Sequence, residues 1–302
     1  MPHTVTLTYQ PVPRLHASRV PGWRRLLAIA DAAVQRLTTL WQGLFLDLRG
    51  ALRQPPLETA LDVHLLEGRS HIAQVVERTL EVPARTVLPV LAQEVVTQVE
   101  QVMAPEISRL AQRPVTPFQD LPRTQAWLQH EIGSQIRDIS QTTLRTVQQV
   151  LREGVQAGHH PRQLARSVRE VIGLTPQQQR SLEVLKGRLQ GMGLPETQIQ
   201  RQVQRATETA LSRRALTVAR TEALSLSNRA AYENLLQSTE AGFVDASRIR
   251  RHWLLTSGAC ALCIELANTY SEGVGLYQPF GDVMTPPLHP NCRCSTTTTI
   301  AP

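Results

Sequence analysis

Apolar residues that return every three or four positions over long stretches oblige a chain to form long helices and pack them side by side. From Trp23 to about Arg53, that spacing is followed by Trp23, Leu26, Leu27, Ala30, Ala33, Val34, Leu37, Leu40, Trp41, Leu44, Phe45 and Leu48, and Pro55 and Pro56 close the run. Further helical patterns cover Leu57 to Leu80, Pro83 to Gln112 and Arg123 to Ala157. Gly68, Pro83 and the Pro114, Pro117 and Pro122 group are expected to separate them, and Pro89 and Pro105 to kink or split the second. Gly158 is expected to end a helix, Pro161 to open one, and Thr175 to cap another that starts at Pro176. Gln177 to Gln204 reads as two short helices with a turn at Met192 to Pro195, and a strong stripe returns from Thr207 to Leu236.

Aromatics are only 4% of the 302 residues, so burial must come from Leu, Val, Ala and Ile, which suits helices and argues against an aromatic-rich barrel. No stretch approaches the roughly 20 apolar residues that cross a bilayer, and no cleavable leader pattern opens the chain; a soluble, non-exported protein is expected. Residues 1–21, with Pro2, Pro11 and Pro13 and no periodicity, read as an extended arm. The net charge is +7, and Lys186 is the sole lysine among 32 basic residues. The arginines are scattered among Glu and Gln, as on solvated helical faces, yet their guanidinium groups suit a partner bearing phosphate or carboxylate.

The texture changes after Gly242. Six of the twelve aromatics lie between Tyr232 and Phe280, and all four cysteines between Cys260 and Cys294. Arg248 to Leu255 and Cys294 to Ile300 have the β-formers expected of strands. The expected fold class is therefore mainly α with a small C-terminal α+β module, at about residues 243–302, stabilised by a Cys/His cluster. Cys260-Ala-Leu-Cys263 and the later Leu288-His289-Pro290-Asn291-Cys292-Arg293-Cys294 supply thiolate and imidazole, the natural ligands of zinc. Cys260, Cys263 and Cys292 would ligate in almost any version of the site, with His289 or Cys294 as the fourth. Two disulfides, or simply packed thiols, are the competing readings. Neither HExxH nor the HxE element of zinc deaminases is present, so a structural zinc fits better than a catalytic one.

A second run, Val218-Ala219-Arg220-Thr221-Glu222-Ala223, continues to Ser227, Asn228 and Tyr232. On a helix, Ala219, Ala223, Ser227 and Ala230 share a face that lets another element come close. Arg220 and Glu222 are two apart and cannot meet as helical neighbours, so each is expected to pair with a group outside its helix.

The two runs in this order, with His252-Trp253, the CxxC and Pro286-Pro287-Leu288-His289-Pro290-Asn291-Cys292-Arg293-Cys294, resemble the signature of the phage head morphogenesis family, the phage Mu F-like minor head proteins. The resemblance spans roughly Arg145 to Ile300, and it implies a division into a helical portal or capsid interaction region at 22–144 and the family domain at 145–302. Matching positions are Arg220, Thr221, Glu222, Asn228, Trp253, Cys260, Cys263, Pro287, His289, Pro290, Cys292, Arg293 and Cys294. Thr256-Ser257-Gly258-Ala259 departs from the acidic residue common before the first cysteine. The resemblance implies a minor capsid protein without catalytic residues, acting in prohead assembly near the portal vertex. It implies portal protein and major capsid or scaffolding protein as partners, packaged DNA within reach of the arginines, and a place in the virion after assembly in the host cytoplasm. Two other function classes compete. One is an enzyme, either a zinc hydrolase or an ADP-ribosyltransferase-like protein with Arg220, Ser257 and Glu265 as nominees. The other is a zinc-stabilised nucleic-acid binder using Arg250, Arg251 and Trp253.

Overall fold

The first periodic run folds into one helix, α1 (Trp23–Ala51), and its heptad-like face buries Leu37, Trp41, Phe45 and Leu48 completely or nearly so. The computed structural model describes residues 23–52, 65–114, 122–157, 159–256 and 258–301. The expected arm at 1–21, the start of the second helix before Leu65, Gly158 and Ser257 lie outside them.

Helix α2 (Leu65–Val76) leads through a single wide π-turn (Glu77–Glu81) into α3 (Val82–Ala111). Gly68 and Pro83 therefore do not separate two helices: Gly68 lies within α2, and Pro83 follows directly on the π-turn, with the Glu81 and Val82 backbone before it helical. Nor do Pro89 and Pro105 split α3. Both lie on its exposed side, where the carbonyls they orphan can turn to water, while Leu88, Ala92, Val96, Val99 and Ile107 anchor the opposite side in the core. Helix α3 ends with Gln112 in the left-handed conformation at φ 55°.

Helix α4 (Pro122–Gln156) is followed by α5 (Pro161–Val171), opened by its proline as expected. Thr175 caps α6 (Pro176–Gly191) in a reciprocal box: its hydroxyl accepts from the Gln178 N–H, and the Gln178 side chain accepts from the Thr175 N–H. The turn at Met192 to Pro195 is present, but the second short helix expected there is the start of a single long helix, α7 (Glu196–Glu240). No proline or glycine interrupts the chain between Glu196 and Glu240, so nothing stops the helix from running on.

Helix α1 lies along α7, α3 packs against both, α4 covers α3, and α6 folds back on α7. One continuous hydrophobic core runs from Ala33 through α2, α3, α4 and α5 to α7 and on to Ile249 and Leu276. It crosses position 145 without a break. Ala215, Ala219, Ala223 and Ala230 of α7 are fully buried, which allows the close helix approach that their small side chains suggest. A buried arginine is part of this assembly. Arg214 donates to the carbonyls of Gly173 and Ile139 and to the Thr143 hydroxyl, and stacks 4.9 Å from the Phe45 ring.

Beyond α7, a short 3-10 turn (Ala246–Arg248) leads into β1 (Ile249–Leu254), then α8 (Ala261–Thr269), β2 (Val274–Gly275) and β3 (Ser295–Ile300). The sheet is antiparallel in the order β2-β1-β3, with Trp253 opposite Thr296 and Leu254 opposite Ser295. Helix α8 and the two-residue β2 lack a periodic signature of their own. Ile249, Arg251 and Trp253 alternate inward along β1, so Ile249 joins the helical core and Trp253 a second, smaller one with Cys263, Phe280, Cys292 and Cys294.

Candidate metal centre

Cys260 is the N-cap of α8 and Cys263 falls in its first turn, so the CxxC spacing turns both sulfurs to one side. The chain returns to them through a tight turn. The Cys292 N–H donates to the His289 carbonyl at 3.1 Å, with Pro290 and Asn291 at the corner positions and Asn291 at φ 64°. Proline followed by asparagine in the left-handed region is the pairing that a type II turn requires. Cys292 and Cys294, two apart on extended backbone, both point inward, while Arg293 between them is exposed.

The result is two overlapping triads, Cys260-Cys263-His289 and Cys263-Cys292-Cys294, each with its ligand atoms within 4.8 Å of one another. His289 Nε2 is 3.0 Å from Cys260 Sγ and 3.3 Å from Cys263 Sγ, and the sulfurs of Cys263 and Cys292 are 3.7 Å apart. Tetrahedral zinc with its usual bond lengths spaces sulfur pairs by about 3.8 Å, so the donor set suits a metal ion in both chemistry and separation. All four cysteines are free thiols, and no pair approaches the about 2.05 Å of a disulfide, so the stapled alternative is not realised.

The protonation pattern follows from the contacts. The N–H of Cys263, at the start of α8, holds the Cys260 thiol below its ordinary value, with His289 adding to the effect. Burial pushes Cys263 up, and the neighbouring Cys292 pushes it further. A hydrogen bond from the Cys294 thiol is the largest cause lowering Cys292, and the same bond raises Cys294. His289 Nδ1 donates to the Pro290 carbonyl at 2.9 Å, a bond that raises the imidazole above its ordinary value and turns Nε2 toward the sulfurs, where it would supply a lone pair to a metal on losing its proton.

The Arg220 to Asn228 run of α7 lies against this segment. Arg220 donates to the Asn291 side-chain oxygen, and the Asn291 N–H donates to the Thr221 hydroxyl at 2.9 Å. Asn228 accepts from the Ser295 hydroxyl at 2.6 Å and donates toward the Cys294 carbonyl at 3.4 Å. Glu222 faces elsewhere: it is buried and accepts from the Trp41 indole N–H of α1 at 2.8 Å. Burial pushes the Glu222 carboxyl up to about 8, the Trp41 bond opposing the shift. Arg220 and Glu222 thus pair outside their helix, in opposite directions. Trp253 packs edge-on to Phe280 at 5.4 Å, Pro287 follows a cis Pro286-Pro287 bond, and Pro290 and Arg293 are exposed at the turn.

Arg251 and Trp253 are not a nucleic-acid platform. Arg251 is 2% exposed, donates to the carbonyls of Met284 and Gln278 and lies between the rings of Tyr232 and Phe280, while Trp253 is 6% exposed. Alternation along β1 turns both inward, whereas Arg250 is turned the other way. Of the nucleotide-transfer nominees, Arg220 is bonded to Asn291 and Glu265 is exposed on α8. Sequence reasoning did not nominate Trp41, Asn291 or Ser295. The Pro290-Asn291 pair was a legible turn signal, but nothing local to Trp41 points to a residue 181 positions away.

Residues 145–297, just over half of the chain, match the family model described as phage Mu protein F like protein. No curated protein and no solved structure gave a significant match.

Proposed function

The chain belongs to the phage Mu protein F like family, whose members are phage head morphogenesis proteins, and from that premise we propose that it is a minor head protein acting in prohead assembly at or near the portal. The observation that carries the reading is the match itself, which spans the α7 motif, the CxxC and the His289 to Cys294 segment together. Its role is structural, without turnover. Association with other phage capsid proteins and with the virion follows from the family. Portal protein, with major capsid or scaffolding protein, is the proposed partner set. The net charge of +7 supports further contact with packaged DNA through phosphate, by exposed arginines rather than by Arg214 or Arg251. Among the described residues no helix is long and apolar enough to cross a membrane.

The metal in this reading is a structural zinc held by Cys260, Cys263, His289 and Cys292. Support for His289 over Cys294 as the fourth ligand is its Nε2, which lies 3.0 Å from the Cys260 sulfur and 3.3 Å from the Cys263 sulfur. Bound there, the ion would cross-link α8 to the turn ahead of β3, in a module too small to build a large core of its own.

Co-sedimentation of the full chain with portal protein and with proheads tests the assembly role. Enrichment with either supports it, and a chain that associates with neither portal nor capsid protein overturns it. Removal of residues 1–20 is expected to lower incorporation into proheads.

A further inference from the structure

The turn that delivers His289 and Cys292 has no hydrophobic anchor at its tip: Pro290 and Asn291 are both exposed. Its geometry depends on Asn291 staying at φ 64°, a conformation that asparagine tolerates better than most residues but that is still higher in energy than the right-handed regions. Two side chains from one turn of α7 hold it there. The Thr221 hydroxyl accepts the Asn291 backbone N–H, and its own proton goes to the Thr217 carbonyl at 2.8 Å, so the lone pair it presents is oriented. Arg220 holds the Asn291 side-chain oxygen. One contact fixes the peptide plane and the other the side chain of the same residue, and Asn228 grips the chain again at Cys294 and Ser295.

We infer that Arg220 and Thr221 are positioning residues of the metal centre, setting the separation of His289 and Cys292 by clamping Asn291 between them. The inference rests on the metal reading above. Neither residue touches a ligand atom; both act through the turn. Outer hydrogen bonds of this kind are worth about 10- to 100-fold in metal affinity, because an unclamped turn must be ordered at the moment of binding. The arrangement also explains why an arginine and a threonine stand side by side ahead of Glu222: the first two reach the turn, and the third reaches α1.

The test is zinc affinity of the full-length chain, measured by chelator competition, with the visible spectrum of the cobalt-loaded protein as a report on ligand arrangement. Wild type is expected to bind one ion with a tetrahedral thiolate spectrum. Thr221→Val and Arg220→Ala are each expected to weaken binding about 10- to 100-fold and to broaden the cobalt bands, with helical circular dichroism unchanged. Thr221→Ser, which keeps the acceptor, restores wild-type affinity. Asn291→Gly keeps the left-handed turn and the N–H contact but loses the same Arg220 contact, and is expected to weaken binding about as much as Arg220→Ala. Affinities of Thr221→Val and Arg220→Ala equal to wild type would overturn the positioning role alone. If wild type binds no metal, or Cys263→Ser binds as tightly, the metal reading itself fails and takes the inference with it. Should Thr221→Val fail to fold, Arg220→Ala and Asn291→Gly decide the matter in its place: weakened zinc binding in both supports the positioning role, and wild-type affinity in both overturns it.

Discussion

Trp41 donates its indole N–H to the Glu222 carboxyl at 2.8 Å, joining α1 to α7 at a point where both side chains are shut off from solvent. The other carboxyl oxygen, Oε1, is buried with no hydrogen-bond partner, so this pair is a weak point in the seam between α1 and α7. Replacing Trp41 by Phe removes the one donor and leaves a buried acceptor unmet. A loss of about 1–3 kcal/mol is expected in urea unfolding. In a double-mutant cycle with Glu222→Leu, which removes the acceptor, the two changes should not add.

The same carboxyl makes stability depend on pH. Its ordinary value is 4.5 and burial raises it to about 8, so between those values the folded chain binds a proton that the unfolded chain does not. The Glu222 contribution is therefore fully present below 4.5 and is lost as pH rises through about 8. Unfolding midpoints should fall from pH 5 to pH 8 in wild type. Glu222→Gln should flatten that part of the profile.

Metal removal should act on the C-terminal module first. Prolonged chelation is expected to lower the melting temperature, and lowering the pH should weaken binding as thiolates and imidazole take up protons. Cys263 belongs to both triads, so Cys263→Ser should cost the most affinity. His289→Ala should cost more than Cys294→Ser. The reverse order would make Cys294 the fourth ligand.

Arg214 bridges three segments by donating to Gly173, Ile139 and Thr143, and burial pulls its pKa down only to about 10, so it stays cationic at neutral pH. Arg214→Met would strand the Gly173 carbonyl, while the Ile139 carbonyl and Thr143 hydroxyl keep their bond to each other, at an expected cost of about 1–3 kcal/mol. Lysine should not rescue it, since one ammonium cannot replace a planar fork that serves three acceptors. Thermal unfolding of the two variants, side by side, checks both statements.

At Gly173 the backbone has φ +84°, and a Cβ would lie 2.9 Å from the Leu211 methyl. Gly173→Ala combines backbone strain with a steric conflict in the core. Destabilisation of about 1–3 kcal/mol is expected from chemical denaturation.

Much of this architecture was legible because its signals are local. The stripe that made α1 certain, the Thr175 box at α6 and the proline at α5 each act within a few residues of themselves. The threonines of β3 likewise report strand by their branching. Where the reading departed from the fold, a long-range term outweighed a local one. Pro89 and Pro105 are helix breakers by themselves, yet burial of the opposite side of α3 holds the helix through both. The polar stretch at 196–204 looked like a short separate helix because its composition differs from that of the stripe that follows. The centre itself divides the same way: the cysteines and His289 announced themselves, while the residues that hold them in place did not.

From the order of its residues alone, this chain is mostly helical, ends in a small cysteine-rich module, and carries an arginine and a glutamate that cannot satisfy each other. Periodicity, capping and turn preference are properties of near neighbours, and near neighbours are what a sequence records. Only the fold decided that Glu222 meets Trp41, that Arg220 and Thr221 hold Asn291, and that Arg251 and Trp253 are sealed inside rather than offered to a ligand. Each of those pairings joins positions far apart along the chain. Which distant groups meet depends on how helices and strands stack to bury their apolar faces, and that is a property of the packed whole.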